Sequence, residues 1–146
     1  MPYVRTFNIF VSHAWSANEE YIRLVGLLKR IKRFNIEIIS LPEYEPAIDL
    51  DSSSGMQKLK GIMEIQVRSS NCALILPRMY ISSEFWIKYA MHLCQMYGVS
   101  PLAMAPAEGE GLPAVLSIKA DAVIDWNIEA LEEGIKEFST TRFGAT

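Results

Sequence analysis

The sequence is poor in cysteine: Cys72 and Cys94 are the only two among its 146 residues. Two cysteines cannot form the disulfide framework of a small secreted domain, and this scarcity suits a reducing compartment. Both lie in apolar or helical patterns, where cysteine usually behaves as a small buried hydrophobic residue. The amino-terminal segment MPYVRTFNIFV lacks a signal-peptide pattern, and no apolar run approaches membrane-spanning length. These absences predict a soluble cytoplasmic protein with no membrane partner.

A basic excess is also missing. The chain has 14 Lys and Arg against 17 Asp and Glu, a formal net charge of −3 at pH 7. Proteins that bind nucleic acid through its phosphates usually show a basic excess or stripe, so we expect no nucleic-acid partner. The one basic cluster, LKRIKR at 28–33, lies at the end of a predicted helix, where cations complement the helix dipole.

The sequence lacks several motifs that are typical of nucleotide-binding and metal-binding proteins. No G-x-G-x-x-G or G-x-x-x-x-G-K-[ST] follows a predicted strand, and GEGLP at 109–113 lacks both the lysine and the helix. The central predicted strand ends in Pro77 rather than in a phospho-accepting aspartate. His13 and His92 have no cysteine partner at metal-ligand spacing, and Ser12 and His13 point to opposite faces of an extended backbone. We therefore expect no metal site and no permanently bound cofactor.

Short apolar runs alternate with longer helical patterns, which is typical of a parallel sheet with crossover helices. Strands are predicted at 6–12, 36–40, 72–77, 101–106 and 122–126, and helices at 16–34, 56–69, 82–98 and 127–138. The segment 108–120 is ambiguous between a loop and a loop with one helical turn. The connection from Leu41 to Gly55 has two prolines and a serine run, so it is predicted to be irregular. Loops of this length inside a compact domain are often functional.

These elements predict an α/β fold, a flavodoxin-like three-layer sandwich with a five-stranded parallel sheet in the order 2-1-3-4-5. The whole chain, 1–146, is expected to form one domain with a core at 6–138 and a tail at 139–146. CALILP at 72–77 has the continuous apolarity of a central strand, whereas Glu37 places the second strand near an edge. Ligands of such sheets bind beyond the carboxyl ends of the strands, where the winding reverses.

The crevice predicted at that edge is rich in aromatic and hydroxyl side chains. Flat rings could stack on Trp15, Tyr44 and Trp86. Sugar hydroxyls or phosphates could bind Ser12, Ser82 and Ser83. Each residue taken alone has a structural alternative, since Trp86 could belong to the core, a serine could cap the helix, and His13 could be purely structural. Together in one crevice they favour a nucleotide-like ligand.

Three segments carry a family resemblance: NIFVSHAWS at 8–16, the second strand with the long loop, and SSEFWIKYAMHL at 82–93. They resemble the TIR and TIR-like family, above all the TIR-like proteins of the bacterial Thoeris anti-phage system. The resemblance runs from Phe7 to Phe138 in order and spacing, with F-x-S-H-x-x after strand one and S-x-x-W opening the third helix.

This resemblance implies that NAD⁺ or an ADP-ribose-type nucleotide binds in the crevice as substrate and is cleaved between nicotinamide and ribose. It implies a cyclic or conjugated ADP-ribose signal for a separate effector, a phage-derived trigger, and possible homo-oligomers. The pocket residues that it implies are Ser12, His13, Ala14, Trp15, Tyr44, Pro46, Ser83 and Trp86.

The family's essential glutamate lies four residues after the tryptophan, and Ala90 occupies that position here. A carboxylate there would stabilise the positive charge that develops on the ribose when nicotinamide leaves. Losing it typically costs a few kcal/mol of transition-state stabilisation, on the order of a hundredfold in rate. Glu84 points roughly the opposite way round the helix and suits the helix dipole instead. The chain is therefore expected to be inactive or nearly so.

Ala90 has two interpretations, a naturally degenerate family member or a deliberately substituted, inactive variant, and the otherwise intact crevice favours the second. A rival hypothesis is a non-catalytic TIR adaptor that self-associates through the long loop and adjoining helices. A third is a flavodoxin-like nucleotide sensor that binds without turnover.

Overall fold

The computed structural model describes residues 5–12, 19–39, 53–76, 84–106, 109–112 and 114–139, with the backbone alone at Ser12, Glu84, Trp86 and Val115. The strands are β1 (Thr6–Ser12), β2 (Asn35–Ile39), β3 (Cys72–Ile75), β4 (Ser100–Met104) and β5 (Ala122–Ile124). The helices are α1 (Glu19–Lys29), α2 (Ser53–Arg68), α3 (Glu84–Tyr97), α4 (Ala114–Lys119) and α5 (Ile128–Phe138). The strands form one parallel sheet in the order β2-β1-β3-β4-β5, which confirms the predicted flavodoxin-like α/β fold.

The helices cover both faces of the sheet. The step from β1 to β2 runs in one direction and the later steps run in the other, so right-handed crossovers place α1 on one face and α2, α3 and α4 on the opposite face. Contacts between α1 and α5, and between α2 and α3, agree with this division. The winding therefore reverses between β1 and β3.

The hydrophobic core lies on both sides of the central strands. Every residue of β3 is buried, as its continuous apolarity predicts. Helices contribute buried residues four positions apart, such as Leu24 and Leu28 of α1. Glu37 is exposed on β2, which lies at an edge of the sheet as predicted. Within the described ranges, no helix combines the length and apolarity needed to cross a bilayer.

Local signals define two helix ends. The Asn127 side chain accepts a hydrogen bond from the Ala130 N–H at 2.8 Å, which confirms the predicted amino-terminal cap of α5. At the carboxyl end of α3, Gly98 has a φ of +68° and the Val99 N–H donates to the Cys94 carbonyl at 2.9 Å. This is a Schellman-type ending, and it requires a left-handed residue that glycine adopts without strain.

Asparagine side chains join the start of β3 to β1. The Asn8 N–H donates to Asn71 Oδ1 at 2.7 Å, and the Asn71 N–H donates back to the Asn8 carbonyl at 2.6 Å. Asn71 is buried, so this reciprocal pair satisfies polar groups that water cannot reach. The pair extends the contact between β1 and β3 beyond the strand ladder.

Several elements differ from the sequence prediction. Helix α1 ends at Lys29 rather than at 34, and strands β3 and β4 end two residues earlier than predicted, at Ile75 and Met104. The ambiguous segment contains the six-residue helix α4. Helix α2 begins at Ser53 rather than at 56, and Gly55 in its first turn is buried. Strand β5 ends at Ile124 because Trp126 turns away from the ladder: its indole N–H donates to the Ala105 carbonyl at 2.8 Å, and the Arg23 guanidinium lies 4.7 Å from its ring centroid.

Candidate functional site

The carboxyl edge of the sheet between β1 and β3 is the candidate site. In the strand register Ser12, the last residue of β1, pairs with Ile75, the last residue of β3. Helices α1 and α3 follow these two strands along the chain and lie on opposite faces of the sheet. Their amino-terminal turns therefore flank the point where the winding reverses, which is where open α/β sheets bind ligands.

The predicted site residues fall into two groups. The backbone of Ser12 and Trp86, together with the whole of Ala90, belongs to β1 and α3, so the structure brings these segments to the same edge. The remaining predicted residues lie outside the described residues: they are His13, Ala14, Trp15, Tyr44, Pro46 and Ser83. Their common crevice stays a prediction.

Ala90 is a residue of the hydrophobic core. It is 0% exposed, and Ile87 and Met91 on the same helix are also buried. Exposed residues such as Lys88, on the outer face of α3, complete the amphipathic pattern. The position that the resemblance assigns to the catalytic glutamate is therefore enclosed.

An aromatic and cationic cluster on α2 and α3 was not anticipated from the sequence. The rings of Phe85 and Tyr89 lie nearly parallel, with centroids 6.2 Å apart and an interplanar angle of 5°. Lys60 Nζ of α2 lies 5.4 Å from the Phe85 centroid and 5.5 Å from that of Tyr89, within cation–π range. The four-residue spacing of the two aromatics is readable in the sequence, but the approach of Lys60 depends on how α2 and α3 pack.

A tyrosine–carboxylate pair also joins α2 to α3. The Tyr97 hydroxyl donates to Glu64 Oε1 at 2.9 Å, and this hydrogen bond raises the pKa of Tyr97. Partial burial, followed by the negative charge of Glu64, raises the pKa of Tyr89 as well. Both phenols are therefore neutral at physiological pH.

The two cysteines are buried, as predicted. Burial raises the pKa of Cys72 to about 12 and that of Cys94 to about 12. Only a thiolate attacks an electrophile or binds a metal, so neither residue acts as a nucleophile at neutral pH. Within the described part of the chain, no group of three or more His, Cys, Asp or Glu side chains is arranged to hold a metal ion.

Two grooves lie beside α3. One has a volume of about 390 Å³ and lies against Met91, His92 and Ile118. The other, of about 480 Å³, reaches Ser100 at the start of β4 and Asp121 just before β5. The second groove therefore opens toward the amino ends of the strands, at the opposite edge of the sheet from the candidate site.

No protein-family model matches the sequence, and no curated protein sequence matches it either. Among solved structures, a 3-dehydroquinate dehydratase-like protein from Bifidobacterium longum is 10% identical, with 91% of this chain and 94% of that chain covered and a TM-score of 0.48. A CMP N-glycosidase from Clostridium botulinum is 12% identical, with 88% and 98% covered and a TM-score of 0.46. The fold assigned here rests on the chain's own strand order.

Proposed function

We propose that this chain is a TIR-like domain that binds NAD⁺ or a related ADP-ribose-type nucleotide between the carboxyl ends of β1 and β3. The observation that supports it most is the strand order β2-β1-β3-β4-β5, with its reversal beside β1. Helices α1 and α3 begin near this edge from opposite faces, and the first turns of helices offer amide donors that suit phosphate oxygens.

The proposal includes the reaction that the family resemblance implies, cleavage of the nicotinamide–ribose bond to make a cyclic or conjugated ADP-ribose signal. In anti-phage defence that signal would activate a separate effector. When nicotinamide leaves, positive charge develops on the ribose, and a neighbouring carboxylate lowers the barrier to bond cleavage by stabilising that charge. Ala90 cannot supply that charge, so the chain in its present sequence binds the nucleotide and cleaves it slowly or not at all.

Calorimetric titration of the full chain with NAD⁺ and with ADP-ribose tests the binding step. We expect saturable binding at one site per chain, and little or no nicotinamide in a chromatographic assay of the mixture. Gln95 is an exposed residue in the groove beside α3, so Gln95→Ala serves as a control and should leave nucleotide binding unchanged. A folded protein that binds neither nucleotide would refute the proposal.

The burial of Ala90 favours a second function, a non-catalytic adaptor that works by self-association. A core alanine at this position is what a domain without the reaction would retain. Large apolar side chains are also exposed on α2 and α3, with Ile65 57% and Met96 55% accessible. Sedimentation velocity over a range of concentrations measures this association. A protein that stays monomeric at high concentration would exclude the adaptor function.

A further inference from the structure

The outer face of α1 carries four exposed residues in a regular order. They are Glu19, Ile22, Gly26 and Lys29, and their spacing of three, four and three residues places them on one side of the helix. This side is opposite the leucines that pack on the sheet. The helix dipole favours an acidic residue in the first turn and a basic residue in the last, so it accounts for the two ends. It does not account for the isoleucine and the glycine between them.

Gly26 is not required by its surroundings in the described part of the chain. It lies in the interior of α1, where glycine lowers helix stability relative to alanine. A Cβ at this position would meet no described atom within 4 Å, so no neighbouring side chain excludes one. One turn earlier, Ile22 is 59% exposed, although isoleucine is among the residues most often buried. A protruding apolar side chain and a gap therefore lie next to each other on the outer face.

The order of these four residues is complementary to its own reverse. Ile22 and Gly26 lie symmetrically about residue 24, and so do Glu19 and Lys29. If a second copy of α1 packs antiparallel about this midpoint, Ile22 of each copy enters the gap at Gly26 of the other. Glu19 of each copy then meets Lys29 of the other, and a two-fold axis makes every contact occur twice. Opposite charges at both ends of the contact fix its register.

We infer that two copies of this chain associate through the outer faces of their α1 helices, packed antiparallel around a two-fold axis near residue 24. The inference rests on the self-association proposed for the adaptor, for which it names the surface, and not on nucleotide binding. Helix α1 has 11 residues, so one pair of such helices buries less area than a standard protein interface. The dimer is therefore weak and depends on concentration.

Helix α2 carries the same pair of side chains without the same charges. Gly61 and Ile65 are exposed and four residues apart, and a Cβ at Gly61 would likewise meet no described atom within 4 Å. Reversal about their midpoint would bring Lys58 of one copy to Arg68 of the other, and these like charges repel. Charge complementarity therefore favours α1 over α2 as the surface of association.

Sedimentation velocity over a range of concentrations tests the inference through charge reversal. Glu19→Lys and Lys29→Glu each turn both attractive pairs into repulsive ones, so each should weaken the dimer about tenfold to a hundredfold. The variant with both changes restores opposite charges across the axis and should recover association. It also places both charges against the helix dipole, so a change that acted only by disturbing α1 would be made worse rather than rescued.

Gly26→Leu separates association from folding. Leucine favours a helix more than glycine does, so the variant should be at least as stable in urea as the unaltered chain. Its side chain fills the gap that Ile22 of the other copy enters, so it should weaken the dimer. Gly61→Leu is the matched control, because it makes the same change at an exposed glycine of α2 and should leave the dimer unchanged.

The outcomes separate this inference from the proposed functions. A chain that stays monomeric at high concentration overturns both the inference and the adaptor function, whereas nucleotide binding is measured independently. A dimer that tolerates both Glu19→Lys and Gly26→Leu overturns the α1 surface and leaves the adaptor function standing. If the single charge reversals weaken the dimer and the double reversal of a folded protein does not recover it, the antiparallel pairing is overturned.

Discussion

Replacing Ala90 by glutamate introduces the residue that the TIR resemblance expects into a position that the fold encloses. Ala90 is 0% exposed, and Ile87 and Met91 are buried on the same face of α3. A glutamate there would bring a carboxyl group and the methylenes that carry it into a packed interior. We therefore expect Ala90→Glu to lower the free energy of unfolding, so any gain in activity would come with a loss of stability.

The size of the effect follows from two contributions. Overpacking a well-filled core typically costs about 1–3 kcal/mol. Burying a polar group without hydrogen-bond partners costs about 1–3 kcal/mol more. The sum, about 2–6 kcal/mol, is a large part of the ~5–15 kcal/mol that stabilises an ordinary domain.

The loss should also depend on pH. Burial raises the pKa of a carboxyl group above its unfolded value of about 4.3, so the folded variant would hold its proton more tightly than the unfolded chain. Stability that this proton confers is present below that unfolded value and is lost as pH rises toward the folded pKa. The loss is about 1.4 kcal/mol for each pH unit that separates the folded pKa from the unfolded one. Ala90→Glu should therefore be destabilised more at pH 8 than at pH 5.

Urea unfolding followed by circular dichroism, at about pH 5 and pH 8, measures both effects. Gln95→Glu is the matched control, because it places a glutamate on the exposed face of the same helix and should change stability by no more than about 0.5 kcal/mol. An Ala90→Glu protein as stable as the unaltered chain at both pH values would refute the packing argument. Nicotinamide release from NAD⁺ by that variant would then identify position 90 as catalytic.

Four further outcomes are expected. Both cysteines should react with a thiol reagent only as fast as the protein unfolds, because they are buried with pKa values of about 12, and rapid labelling of native protein would contradict this. Tyr97→Phe should reduce the loss of stability at alkaline pH. The hydrogen bond to Glu64 raises the pKa of Tyr97 above its usual 10.0, so the folded state holds the phenol proton more tightly than the unfolded chain does. The stability that this proton contributes is lost as pH rises through the raised pKa, and phenylalanine has no such proton to lose. Thermal unfolding between about pH 8 and 11 measures the difference, and parallel profiles would count against it. Asn71→Ala should cost about 1–3 kcal/mol in urea, since it leaves the partly buried Asn8 N–H without its acceptor, and an unchanged midpoint would show that water replaces it. Gly134→Val should destabilise the fold, because even a Cβ there would lie 2.6 Å from Ile124 Cδ1, and equal melting temperatures would show that Ile124 moves freely aside.

Much of the fold could be predicted because its signals are local. Strand β1 has the bounds that its apolar run predicts, and Asn127 caps α5 through a side chain three residues from its donor. The strand order was also predictable, since right-handed crossovers leave few arrangements for alternating strands and helices. Helix α4 was harder to predict, because six residues are too few for a clear helical period.

The candidate site was less predictable because it depends on which helix face meets the sheet. Helical spacing puts positions 86 and 90 on one face of α3, yet that spacing is the same whether the face lines a crevice or packs in the core. Glu20 shows the same limit: its spacing from Leu24 is readable in the sequence, but only the structure shows that Glu20 is half-buried while Glu19 is exposed.

The sequence alone determined the type and order of the main elements and the edge of the sheet at which the winding reverses, because propensity, capping and crossover handedness act over short stretches. Only the tertiary structure decided that Ala90 is enclosed, that Lys60 approaches Phe85 and Tyr89, and that Glu20 rather than Glu19 is half-buried. Burial and contact between helices are set by how separate elements pack against each other, and no local sequence pattern encodes that packing.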